Sequence, residues 1–87
     1  MTRDEIAHNV RQTLAEMFEL DAEGLAMEVR VVEDLDLDSI DAIDMAARVQ
    51  EIAGKRLSEG DLLGIRTVGD IVDVVERLMQ TEAEPGQ

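Results

Sequence analysis

Three stretches of this chain place apolar residues at helical spacing, so its core must be assembled from the faces of helices. The first opens with Thr2 and Glu5 in the form of a capping box. It continues through Ile6, Val10, Leu14, Met17 and Phe18, which predicts a helix over roughly Arg3 to Phe18. The second starts with Asp38 as N-cap and Ser39 as its first residue, and runs to about Ala53 before Gly54 stops it. In the third, Thr67 and Asp70 resemble a cap ahead of Val68, Ile71, Val72, Val74, Val75, Leu78 and Met79. Its β-branched content makes a strand the competing reading, and the helical spacing behind a cap decides for helix. A shorter helical turn is expected at Ser58 to Leu63, capped by Ser58. Between the first two helices, Glu19 to Leu37 loses its period around Gly24 and keeps only scattered anchors at Leu20, Leu25, Val29, Val31 and Val32, so it reads as a long packed loop. Residues 80–87, with Pro85 and Gly86, read as a disordered tail behind one domain over residues 1–79.

Size and charge exclude whole classes of function. At 87 residues the chain hides only about 60% of the surface its unfolded form would expose, yet 45% apolar and 33% charged residues fit a folded domain rather than an acidic disordered one. There is no cysteine, so disulfides, thiolate metal sites and a thiol nucleophile are all excluded. The chain offers a single imidazole, His8, two serines, Ser39 and Ser58, and carboxylates, a poor stock for an enzyme. His8 lies opposite the apolar stripe of its helix and is read as a solvated side chain. A net charge of −13 repels nucleic acid and anionic lipid and attracts basic protein patches. No uninterrupted apolar run exceeds three residues, and Met1 to Glu5 has no signal-like character, so a soluble, cytoplasmic monomer is expected.

The second helix has two unlike sides. At about 100° per residue, Ala42, Met45, Ala46, Val49, Ile52 and Ala53 share an apolar side with Ile43 at its edge. The opposite side carries Asp41, Asp44, Arg48 and Glu51, with Ile40 and Ala47 at its margin. The six carboxylates of Glu33, Asp34, Asp36, Asp38, Asp41 and Asp44 follow one another with no base among them. Asp34, Asp36 and Asp38 alternate like the first ligands of a calcium loop, but Ser39 stands where the turn wants Gly and Met45 where a closing Glu is needed. No metal site is expected. Carboxylates are favourable at a helix start in any case. That explanation leaves Ser39 unaccounted for, a hydroxyl at an exposed helix start between Asp38 and Ile40.

Asp34-Leu35-Asp36-Leu37-Asp38-Ser39-Ile40-Asp41 resembles the attachment motif of acyl carrier proteins, whose usual form is Asp-Leu-Gly-x-Asp-Ser-Leu. The resemblance covers about Arg3 to Met79. It implies an all-α fold, a small antiparallel bundle of three main helices plus one short helix with a long first loop. It implies that Ser39 carries 4′-phosphopantetheine, transferred from coenzyme A by a phosphopantetheinyl transferase, with Asp38 as the motif neighbour. The arm would supply the thiol that the chain lacks, and the protein would hold acyl groups as thioesters without catalysing anything itself. Ile40, Asp44, Ala47 and Glu51 match positions that meet acyl-transferring and chain-elongating enzymes, and the helical facing had already put them outside, beside Asp41 and Arg48. Departures from the family pattern are Asp36 in place of Gly, Ile40 in place of Leu, Ala53 at an often aromatic position, and Arg48 within the acidic face. They point toward a specialised carrier, of polyketide or polyene type, rather than a general fatty-acid carrier. A peptidyl or aryl carrier, or an unmodified acidic interaction protein, is the alternative. The negative charge favours the acyl type.

Overall fold

The computed structural model describes residues 2–80, and its long helices are α1 (Arg3–Phe18), α3 (Ser39–Ala53) and α5 (Val68–Gln80). Two short ones, α2 (Val31–Asp34) and α4 (Glu59–Gly64), and a 3₁₀ turn at Ala22–Gly24 join them. Both α1 and α3 pack on α5 and on each other. The third apolar stretch is a helix, as its spacing and cap required. Its Val68, Ile71, Val72 and Val75 are wholly excluded from water, meeting Ile6, Val10 and Leu14 of α1 and Met45, Val49 and Ala53 of α3 in one core.

Side-chain oxygens at the helix starts set where these elements begin. Thr2 accepts from the Glu5 N–H at 3.2 Å, while the Glu5 carboxylate takes the Thr2 N–H at 2.8 Å. Ser58 and Asp61 repeat the box at α4. The α5 start is closed more completely. Its first three N–H groups donate to the Val29 carbonyl at 3.0 Å, the Met27 carbonyl at 2.9 Å and the Thr67 hydroxyl at 3.1 Å. Gly69 permits this, since a Cβ there would stand 3.3 Å from the Met27 carbonyl oxygen. The Val31 N–H in turn donates to the Arg66 carbonyl at 2.9 Å, so the segment before α2 is pinned along the start of α5.

Two expectations change. The stretch from Glu19 to Leu37 is not loop throughout: it holds the 3₁₀ turn, where Asp21 accepts from the Glu23 N–H at 3.0 Å, and the single turn α2. One turn is too short to show a period. Its start is secured from within, since the Asp34 carboxylate takes the Arg30 N–H at 2.9 Å and the Arg30 guanidinium at 3.1 Å. Those bonds, the backbone one first, hold the Asp34 carboxyl below its usual range. The second change is Gln80, which closes α5 instead of opening the tail. The rest of that expected tail, residues 81–87, lies outside the described residues.

Ion pairs tie the helices from outside the core. Arg3 bridges Asp73 and Glu76, each at 2.8 Å, linking α1 to α5, and Arg77 of α5 pairs with Asp61 of α4. Asp70 serves the α5 start. The Thr67 N–H at 3.1 Å, and then the Arg66 N–H at 3.0 Å, lower its carboxyl pKa against an opposing push from partial burial. A depressed folded pKa adds stability that is complete above the unfolded value of about 3.9 and disappears as pH falls through the folded value. The melting-temperature gap between the wild type and Asp70→Ala is therefore expected at neutral pH and should close in acid below about pH 4. Thermal melts across that range check it.

Candidate functional site

Ser39 is the first residue of α3, and it is exposed. Two features of the chain before it put it there. Asp36 takes a left-handed backbone, φ 56, at the position where glycine was the expected residue; aspartate tolerates that conformation better than most side chains, and the turn is made. Asp38 then caps the helix, accepting the Asp41 N–H at 2.9 Å, with the Asp41 carboxylate reaching back to the Asp38 N–H at 3.4 Å.

The capping box leaves the start of α3 in a particular state. Its third N–H is used by Asp38, whereas those of Ser39 and Ile40 have no intrahelical acceptor, as the first turn of any helix requires. Among the described residues nothing hydrogen-bonds the Ser39 hydroxyl. This differs from α5, whose first N–H groups are consumed by loop carbonyls. Across a helix of 15 residues the peptide dipoles also give the start a positive potential. A phosphate ester on Ser39 would thus meet free donors and a favourable field, despite the surrounding carboxylates. The residues present fit a phosphodiester-linked group.

Below Ser39 on the same helical stripe come Ala42, Ile43 and Ala46, at i+3, i+4 and i+7. With Met45 these line an apolar cavity of ≈ 250 Å³, closed from the other side by Val32, Leu62 and Ile65. Ile43 was expected at the edge of the core-facing side. It is 68% exposed, because it stands at this cavity rather than in the packed core. The facing arithmetic on α3 alone did not reveal the cavity, as three of its walls come from α2 and the α4 region. The one sequence signal is Leu62, an apolar residue on a short polar turn.

The charged side of α3 is outward, as the helical facing required. Ile40 is 68% exposed, and Asp44, Ala47 and Glu51 are exposed with it. Asp41, Asp44, Ala47 and Arg48 also border a shallow notch of ≈ 330 Å³ against Met17 and Phe18 at the end of α1. Arg48 is half-buried and sits 3.9 Å from Glu51, too far for a hydrogen bond. Asp41 has a second task, because it closes the capping box and is itself half-buried. His8 is exposed on α1. Among the described residues no group of acidic or histidine side chains is placed to hold a metal ion, and no helix is long and apolar enough to cross a membrane.

An open, capped serine at the head of an apolar cavity agrees with what comparison with known proteins finds. The family model described as a phosphopantetheine attachment site matches residues 8–75. The chain belongs to this family. It is 39% identical over 79 residues to acyl carrier protein 2 of Ralstonia nicotianae, covering 91% of this chain and 98% of that one. It is 34% identical to the acyl carrier protein of Coprothermobacter proteolyticus, covering 94% of this chain and all of the relative. The meromycolate extension acyl carrier protein of Mycobacterium tuberculosis is 29% identical over 87 residues, covering all of this chain and 76% of its own. Among solved structures, an acyl carrier protein from Enterococcus faecalis superposes with a TM-score of 0.74 at 28% identity, over 86% of this chain and 95% of that one. The small helical bundle, the acyl-carrier role and 4′-phosphopantetheine as the family's prosthetic group follow from this membership.

The cap makes its own prediction. Asp38→Ala should lower stability by about 1 kcal/mol, the usual cost of losing a side-chain N-cap, and fray the first turn around Ser39. Urea unfolding together with amide exchange at residues 39–42 checks both effects.

Proposed function

We propose that the Ser39 hydroxyl is the point at which 4′-phosphopantetheine is attached, and that the exposed side of α3 is the surface that enzymes recognise. The observation that carries this reading is the unpartnered hydroxyl at the open start of α3, one helical turn before Ala42 and Ile43 of the apolar cavity. Ser58, the other serine, is a poor candidate because its hydroxyl is already the N-cap of α4, accepting from Asp61 at 3.0 Å. When bound, the arm supplies a thiol on which acyl groups are held as thioesters. The chain's own residues do the remainder. The Ser39 and Ile40 N–H groups face the phosphate position, Asp38 and Asp41 keep the first turn wound, and the Ala42–Ile43–Ala46 stripe offers apolar surface to the cargo.

The protein presents cargo and catalyses no step itself. Its partners are a phosphopantetheinyl transferase and acyl-transferring or chain-elongating enzymes of fatty-acid, polyketide or polyene-type synthesis, working with it in the cytoplasm. Asp36, Ile40, Arg48 and Ala53, the departures from the usual family pattern, support a specialised pathway over a general one. Ile40 and Ala47 offer small apolar contacts, and Asp44 and Glu51 offer charge to a basic patch. Exposed charges of this kind govern the rate of encounter and are screened by salt.

Two outcomes are expected. Incubation with coenzyme A and a broad-specificity transferase should add one phosphopantetheine to the wild type and none to Ser39→Ala, as read by intact mass. An unmodified wild type beside a modified control carrier would refute the reading. Reversing Asp44 and Glu51 to Lys together should slow transferase loading by roughly tenfold at low salt, with the difference shrinking as salt is raised. Unchanged kinetics in a folded double variant would place the recognition surface elsewhere.

A further inference from the structure

Two cavities meet beside the Ser39 stripe. One is the apolar cavity of ≈ 250 Å³, and the other is a groove of ≈ 640 Å³ lined by Arg30, Glu33, Leu63 and Arg66. Their linings share two side chains, Val32 and Ile65, which therefore form the partition between them. Both stand on or beside short helices with little buried surface. Val32 is 42% exposed on the single turn α2, whose only buried residue is Val31. Ile65 follows α4, six residues long with glycine at 60 and 64 and no buried residue. Elements with so little buried surface are the ones that open locally at least cost.

The groove beyond the partition has its own chemistry. Arg30 is engaged by Glu33 at 2.7 Å and Asp34 at 3.1 Å. Arg66 is hydrogen-bonded through its backbone, its carbonyl accepting the Val31 N–H at 2.9 Å and its N–H donating to Asp70 at 3.0 Å, and its side-chain charge helps to lower the Asp70 carboxyl pKa without forming an ion pair. Among the described residues its guanidinium has no carboxylate within ion-pairing distance, so its five donors face the groove or solvent. Beside it Leu63, 74% exposed, supplies an apolar wall. A chain leaving the inner cavity would find apolar surface first and a donor after it.

We propose that Val32 and Ile65 act as a yielding partition through which a long acyl chain passes into the outer groove, where Arg66 donates to an oxygen on its distal end. The cargo class this selects is a long acyl chain oxygenated at the end remote from the thioester. The proposal rests on the carrier reading above. A plain hydrocarbon end leaves the polar groups of the groove unused, whereas a hydroxyl or carbonyl oxygen accepts from Arg66 without adding to the negative charge of Glu33.

The test loads the full chain, by transferase, from octanoyl-, palmitoyl- and ω-hydroxypalmitoyl-coenzyme A. Intact mass confirms each product, and the readouts are melting temperature and amide exchange at residues 31–34 and 62–66. Palmitoyl is expected to raise the melting temperature above octanoyl and to slow exchange at Val32 and Ile65, since each further covered methylene adds apolar burial. The ω-hydroxy chain is expected to add a further two- to fivefold of exchange protection, the range of one exposed charged contact, and Arg66→Gln should remove that increment alone. Val32→Trp should thicken the partition and reduce the gain of palmitoyl over octanoyl. Arg66→Gln keeps every backbone bond and remains decisive if Val32→Trp fails to fold. Equal protection by octanoyl and palmitoyl would overturn the passage, and an unaltered ω-hydroxy increment in Arg66→Gln would overturn the role of Arg66. No mass gain from any of the three would overturn the carrier reading itself, a result distinguishable from both.

Discussion

One face of α5 holds the rest of the molecule in place. Val68, Ile71, Val72 and Val75 are sealed from water, and each of the other long helices spends its apolar stripe on them. In a chain this short the buried area is limited, so stability depends on a few fully excluded side chains rather than on a deep interior. β-Branched residues suit the task. They have few rotamers to lose, and packing outweighs the modest helix-propensity cost they carry. The start of α5 is as strongly determined as its face, because loop carbonyls and the Thr67–Asp70 cap take up its free N–H groups.

The same accounting of backbone donors separates a helix start that the fold closes from one that it leaves open. At α5 the chain folds back and satisfies them; at α3 it turns away through Asp36 and leaves those of Ser39 and Ile40 to solvent. Only an extended approach through Asp38 puts a hydroxyl on the outside of that turn. The acidic character around it has two origins. Asp34, Asp38 and Asp41 are engaged with backbone N–H groups, so they shape α2 and α3. Asp44 and Glu51 cap no helix start and stand exposed, Glu51 at 3.9 Å from Arg48.

Cations are distributed by the opposite rule. With only eight Lys and Arg residues in the chain, Arg3, Arg11, Arg30 and Arg77 are used as ties, to α5, the Leu25 carbonyl, α2 and α4 respectively. Removing them from circulation leaves the outer side of α3 strongly negative apart from Arg48. The weakest elements, α2 and α4, lie around the cavity below Ser39. A cavity walled by elements with so little buried surface opens at low cost.

Read as a string of residues, the chain already determined its three long helices, their caps, the exposed serine and which side of α3 meets water. These depend on spacing within one element and on hydrogen bonds between residues three or four apart, and both are local. The resemblance of residues 34–41 to a known motif was local too. The helical turn at Val31–Asp34 is not legible there because a single turn has no period and the Val31 N–H is held by the carbonyl of the distant Arg66. The cavity, the partition of Val32 and Ile65, and the unpaired guanidinium of Arg66 belong to no single element. They arise where α2, α3 and the end of α4 converge, and only the packing of distant segments against α5 decides where that is.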